Sequence, residues 1–83
     1  MKLTVKYFAS IREALGTGQE AVDTNATTVQ ALRDELVARG GAYASSLAPD
    51  RSVRVALNQV MVDAQAALAD GAEVAFFPPV TGG

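Results

Sequence analysis

The stretch Asp70-Gly71-Ala72-Glu73-Val74-Ala75-Phe76-Phe77-Pro78-Pro79-Val80-Thr81-Gly82-Gly83 holds a strand and an abrupt end to it. Asp70-Gly71 is turn chemistry. From Glu73 to Phe77 the residues alternate: Val74 and Phe76 share one face, and Glu73, Ala75 and Phe77 share the other. Period two is the signature of a strand. Proline then removes backbone donors and fixes φ, so Pro78-Pro79 cannot continue a central strand and favours an extended geometry. Residues 78–83 are therefore expected to leave the sheet as a stiff stem with a flexible Gly82-Gly83 tip. Such a tip can thread a narrow channel and present its α-carboxylate in another protein's site.

At the other end, Lys2 to Phe8 alternates in the same way. Leu3, Val5 and Tyr7 form one face; Lys2, Thr4, Lys6 and Phe8 form the other. Phe8 is the oddity, an aromatic on the side where the lysines point. Ser10 to Leu15 reads as a short helical turn closed by Gly16-Thr17-Gly18. A weaker strand follows at Glu20 to Thr24, pairing antiparallel with the first. Thr27 and Gln30 have capping-box spacing. Val29, Leu32 and Leu36 then lie on one face of an amphipathic helix over residues 28–39. Glu35 and Arg39 are spaced for an i, i+4 pair on its wet side, and Gly40-Gly41 supplies the stop. Ala42 to Leu47 is a further short helical piece. Val53, Val55 and Leu57 alternate as a strand, Asn58-Gln59 reads as a tight turn, and Val60-Met61-Val62 returns.

One amphipathic helix can cover one face of one small sheet. The expectation is an α+β domain over residues 1–77, with a mixed sheet packed on one main helix in the order β-β-α-β-β-β. The first and last strands would lie parallel at the centre of a β-grasp sheet. That topology is a fold-level inference, since periodicity alone does not reach it.

Composition narrows the function. The chain has 83 residues, no cysteine, no histidine and a net charge of −2. One domain fits this length. There is no thiolate nucleophile and no disulfide. The usual zinc, copper and iron ligands are missing, as is the side chain that most often shuttles protons near neutral pH. No basic stripe suits nucleic acid, and no apolar run approaches a membrane span. The N-terminus lacks a signal peptide's apolar block. A protein of the cytoplasm, bound neither to nucleic acid nor to membrane, is the expectation. No catalytic constellation stands within the chain.

Tyr7-Phe8-Ala9, Arg12-Glu13, Thr28-Val29, Asn58-Gln59 and, above all, Asp70 through Gly83 carry a resemblance. Over its whole length the chain resembles the MoaD sulfur-carrier family, the small subunits of molybdopterin synthase, with a ubiquitin-like fold. A bare Gly-Gly end is shared with ubiquitin-like proteins and with the thiamine-pathway carrier. The combination Phe-Phe-Pro-Pro-Val-Thr-Gly-Gly is similar to MoaD in particular.

The resemblance implies that the carboxylate of Gly83, preceded by Gly82, is adenylated by an E1-like, MoeB-like enzyme. That enzyme uses ATP and magnesium, and no cofactor is held permanently by this chain. The terminus then becomes a thiocarboxylate. It further implies a MoaE-like large subunit that holds cyclic pyranopterin monophosphate and accepts sulfur, in a heterotetramer of two small and two large subunits. The chemistry is consistent with this, because an acyl-adenylate gives an otherwise unreactive carboxylate a good leaving group. A thiol-free chain can load sulfur only on its terminus.

Phe8, Met61 and Phe77 are in the outward phase of their strands. If the first and last strands are neighbours, they form one apolar patch of the kind that marks an interface. By the resemblance they are partner-binding residues, with Pro78, Pro79, Val80, Thr81 and Gly82 as the stem. Arg12 and Arg54 are candidates for polar contacts around the patch. The competing functions are a thiamine-type or other sulfur carrier, and a ubiquitin-like protein modifier.

Overall fold

Tyr7 and Phe76 stack at the centre of the molecule, their ring centroids 6.3 Å apart and their planes 16° from parallel. They belong to β1 (Lys2–Tyr7) and β5 (Glu73–Phe77), the first and last strands. In the computed structural model, which describes residues 1–79, these strands lie side by side and parallel. Val5 sits opposite Val74, and Tyr7 opposite Phe76. Antiparallel partners flank them: β2 (Gln19–Asp23) beside β1, and β3 (Arg54–Leu57) beside β5, with β4 (Val60–Val62) outermost. The sheet order is β2-β1-β5-β3-β4. Parallel neighbours cannot be joined by a hairpin, so nearly the whole chain separates β1 from β5.

Three helices cover one face: α1 (Ala9–Leu15), α2 (Val29–Val37) and α3 (Gly41–Leu47). The cover expected from one helix is shared. Ile11, Leu32, Leu36 and Leu47 from these helices are buried with Leu3, Val5, Tyr7, Val22, Val74 and Phe76 from the sheet. That cluster is the core.

The start of α2 corrects the capping box expected at Thr27 and Gln30. Thr28 is the N-cap, and its Oγ1 accepts a hydrogen bond from the Ala31 N–H at 3.2 Å. The first two helical N–H groups, of Val29 and Gln30, donate to the carbonyls of Ala66 and Ala64 at 3.0 and 2.9 Å. Leu32 N–H donates to the Thr28 carbonyl. The open donors of Val29, Gln30 and Ala31 are thus satisfied, and the Leu32 bond is the first within the helix, so no reciprocal Gln30 contact is needed. The Gln30 amide instead donates to Asp34 Oδ1 at 2.8 Å. Thr27 serves through its main chain, accepting from Leu68 N–H at 2.8 Å.

The far end of α2 corrects a second expectation. Glu35 and Arg39 do not pair with each other. Glu35 accepts a hydrogen bond from the buried Thr24 hydroxyl, and Arg39 reaches Glu20 of β2 at 2.8 Å. Both residues are on the exposed side of the helix, as expected, but their side chains tie the helix layer to the segment around β2. The helix is regular only to Val37. Arg39 and Gly40 N–H groups then bond three residues back, to Leu36 and Val37 carbonyls, and Gly40 turns the chain at a φ of +76°.

Arg33 fixes the connection that follows α3. Its Nε donates to the Leu47 carbonyl at 2.7 Å, and its Nη2 to the carbonyls of Ala48 and Arg51 at 2.6 and 2.9 Å. These carbonyls belong to the helix end and its following turn, and a guanidinium can bond several at once.

Candidate functional site

The helices leave the other face of the sheet open. Pairing register places Lys6 opposite Ala75, Ala75 opposite Ala56, and Ala56 opposite Met61. One row therefore runs from β1 to β4 through two alanines. In the next row Phe77 is opposite Arg54. Phe8 lies one step beyond Tyr7, with its N–H donating to the Phe76 carbonyl at 3.1 Å. Phe8, Phe77 and Met61 thus share one face, with Ala75 and Ala56 in the row that leads to Met61 and Arg54 beside Phe77.

Phe8 is 46% exposed and Met61 52%. Phe77 is only half-buried, less open than its outward phase suggests, and Pro78 and Pro79 beside it are also half-buried. Val80, Thr81, Gly82 and Gly83 lie outside the described residues. Val60, 63% exposed, is a large apolar residue that sequence reasoning missed. It follows the Asn58-Gln59 turn at the tip of the β3–β4 hairpin. Its phase points it toward the helix side, but β4 is the outermost strand, where the cover ends. The signal that could have found it is that Gln59 and Val60 begin the hairpin's return on a strand with only one partner.

The polar groups on this face are few. Lys6 Nζ and Glu73 Oε1 pair at 3.0 Å beside Ala75. Arg54 is exposed at the Phe77 row. Arg12 lines one surface recess with Lys6 and Phe8, its guanidinium packed over Gly18. Next to the root of the tail, a recess of about 470 Å³ opens between α1 and the residues after α3, walled by Ser10, Ala14, Ser45, Arg51, Val53 and Pro78.

The strongest electrostatic perturbation is on the helix side, away from this face. Tyr7 and Tyr43 hydroxyls both donate to Glu20 Oε2, at 2.9 and 2.6 Å, and Arg39 holds Oε1. Burial pushes the Glu20 carboxyl up, but the hydrogen bonds from Arg39, Tyr43 and Tyr7 outweigh it and hold its pKa below the usual value. Burial first, then the bond to Glu20, drives Tyr7 well above its ordinary range. With Arg39 also lying over the Tyr43 ring at 5.0 Å, the group is a clamp between β2 and the helices.

Residues 5–83 match the model of the ThiS family. The chain belongs to the ThiS family. Among relatives in that family, it is 43% identical over 81 residues to the molybdopterin synthase sulfur carrier subunit of Escherichia coli (strain K12), covering 98% of this chain and 99% of that one. Its fold is similar to small archaeal modifier protein 1 of Haloferax volcanii, with a TM-score of 0.82, 31% identity and full coverage of both chains. It is also similar to a chain in the complex of subunits 1 and 2 of molybdopterin-converting factor from Helicobacter pylori 26695, with a TM-score of 0.71, 25% identity and full coverage of both. The ubiquitin-like α+β class expected from the sequence agrees with these neighbours. Among the described residues of this ThiS-family chain, no helix is long and apolar enough to cross a membrane.

Proposed function

We propose that this chain is the sulfur-carrier subunit of molybdopterin synthase, with Gly83 as the atom-carrying end. The observation that carries this role is the end-to-end similarity to the Escherichia coli sulfur carrier subunit. An apolar sheet face beside the root of the tail supports it, because a carrier must dock before its terminus can reach a site. The Gly83 carboxylate attacks the α-phosphate of ATP, with magnesium, on an E1-like MoeB-like enzyme and releases pyrophosphate. A sulfur nucleophile then displaces AMP to leave a thiocarboxylate. A MoaE-like large subunit supplies cyclic pyranopterin monophosphate and the acid–base groups this chain lacks. The complex is a heterotetramer of two small and two large subunits, acting in the cytoplasm. Phe8, Met61, Phe77, Pro78 and Pro79 dock on the large subunit, and Val80, Thr81 and Gly82 lead Gly83 into its site.

The test removes Gly83 alone. The shortened chain should keep its far-ultraviolet circular dichroism and melting temperature, yet gain no sulfur mass when incubated with activating enzyme, ATP and a sulfur source. It should also support no molybdopterin formation. Full activity from a chain ending at Gly82 would refute the role. A second role, as a protein modifier, is favoured by the likeness to small archaeal modifier protein 1. Isopeptide conjugates of this chain on lysines of other proteins, without sulfur transfer to a pterin, would establish that role instead.

A further inference from the structure

The sheet has two edges, and they are protected differently. β2 carries Glu20 and Asp23, and charge on an edge strand discourages pairing with another chain. β4, at the opposite edge, is Val60-Met61-Val62, with neither a charge nor a proline. Val60 and Met61 are 63% and 52% exposed.

The pairing pattern shows which groups this edge offers. Asn58 N–H donates to the Glu73 carbonyl of β5 at 2.8 Å. Hydrogen-bonding sides alternate along an antiparallel strand, so Ala56 also bonds toward β5, while Leu57 and Val55 bond toward β4. Their partners there are Val60 and Val62. Met61 lies between these two, and its N–H and carbonyl therefore point away from the sheet. Side chains alternate as well. Met61 stands on the open face, while Val60 and Val62 are on the helix side. Val62 packs against the core and walls a slot of about 190 Å³ with Val29 and Val55.

We propose that β4 pairs with β4 of a second copy of this chain, antiparallel about a two-fold axis at Met61. The strand is complementary to itself in that register. The two Met61 residues exchange N–H···O=C bonds and form a hydrogen-bonded pair. The pairs on either side are then non-hydrogen-bonded ones, in which side chains come closest. Each sets Val60 of one copy against Val62 of the other, so the exposed valine closes the slot over Val55. One step further out, Gln59 faces Asp63 of the second copy. Asp63 Oδ1 accepts from the Gln65 N–H at 2.8 Å, and Oδ2 is left for the Gln59 amide. No like charges meet between residues 59 and 63, as a contact between identical surfaces requires. The two five-stranded sheets become one. Three residues a side bury less than the ~1,200 Å² of a standard interface, so the pairing is weak, with a Kd of about 0.1–1 mM. It stands independently of the sulfur-carrier role, and a copy must leave before β4 can serve any other partner.

Sedimentation velocity of the full chain from about 10 µM to about 2 mM tests the pairing, with amide NMR over the same range. The weight-average mass should climb from one chain toward two, and the concentration-dependent amide shifts should centre on Gln59 to Asp63. Val60→Lys sets an ammonium against Val62 of the other copy and should hold the mass at one chain throughout. Gln59→Glu sets a like charge against Asp63 and should weaken the pairing about two- to fivefold, whereas Gln59→Arg should tighten it about as much. A wild-type chain that stays single at the highest concentration overturns the proposal. So does a dimer that withstands Val60→Lys or ignores both Gln59 variants, because another face would then be making it. Loss of large-subunit affinity in Val60→Lys, without self-association of the wild type, would assign the edge to that subunit instead.

Discussion

Arg39 and Glu20 meet at 2.8 Å, joining the chain just past α2 to an edge strand that is its neighbour only in space. Tyr7 and Tyr43 complete the carboxylate's shell. Because the folded state holds Glu20 below its ordinary pKa of 4.5, the sign of its pH linkage is fixed. Its contribution is fully present above pH 4.5 and is lost as pH falls through the lower folded value. Glu20→Gln should therefore lower stability at pH 7 by about 1–3 kcal/mol and flatten the stability curve below pH 4.5. Urea unfolding at a series of pH values reads both. An equal loss at pH 7 and at pH 2 would show that the charge contributes nothing.

The two threonines before α2 separate cleanly by role. Thr28 Oγ1 caps the helix, whereas Thr27 contributes its carbonyl. Thr28→Ala should cost about 1 kcal/mol of stability. Thr27→Ala keeps every hydrogen bond described for Thr27 and should stay within about 0.5 kcal/mol of wild type. Paired thermal melts of the two variants decide the matter, and a larger loss at Thr27 would reverse the assignment.

That pair also marks how far the sequence reaches. Alternation places Leu3, Val5 and Tyr7 of β1 and Val74 and Phe76 of β5 in the core, because strand period is local, although Ala75 on the opposite phase is buried as well. Helical spacing of Val29, Leu32 and Leu36 does the same for α2. The cap escapes by one residue because the competition is tertiary: the carbonyl of Ala64, more than thirty residues away in sequence, takes the Gln30 N–H that a Thr27 cap would have satisfied. Glu35 and Arg39 miss each other for the same reason, each finding a partner near β2. For the candidate face, phase puts Phe8, Met61 and Phe77 together, but exposure depends on neighbours. Phe77 is flanked by strands on both sides and is half-buried, while Val60 on the outermost strand is open.

The β3–β4 turn carries strain that can be removed. Asn58 and Gln59 have φ values of +50° and +68°, the pattern of a type I′ turn, for which Asn-Gly is preferred. Asn58 is also bonded to β5: its N–H donates to the Glu73 carbonyl at 2.8 Å, and its Oδ1 accepts from the Glu73 N–H at 3.0 Å. Gln59 is exposed and makes no such bond. Gln59→Gly should therefore stabilise the fold by about 0.5–1 kcal/mol, the relief of left-handed strain less the added freedom of the unfolded chain. Asn58→Ala should destabilise it by about 1–2 kcal/mol, since it loses both tolerance of positive φ and the bond to Glu73. Opposite signs in a thermal melt are the expected reading. A destabilised Gln59→Gly would mean that the glutamine side chain contributes more than its backbone costs.

Met61 offers the sharpest separation of docking from folding. It is 52% exposed on β4, with Ala56 opposite and Ala75 beyond, and nothing of the core rests on it. Met61→Glu leaves a charge in solvent in the free chain, so the melting temperature should stay near wild type, within about 0.5 kcal/mol. Against the large synthase subunit, the same carboxylate would be desolvated on an apolar face without a designated partner. If Met61 is a hot spot, the loss is at least about 2 kcal/mol, or roughly thirtyfold in affinity. Lys6 is already paired with Glu73, whereas Arg54 lines one recess with Met61 and can soften the effect. Arg54→Gln combined with Met61→Glu should then bind more weakly than Met61→Glu alone. Calorimetry of the two variants beside wild type measures this. Wild-type affinity for Met61→Glu would remove β4 from the docking face and confine it to Phe8, Phe77 and the stem.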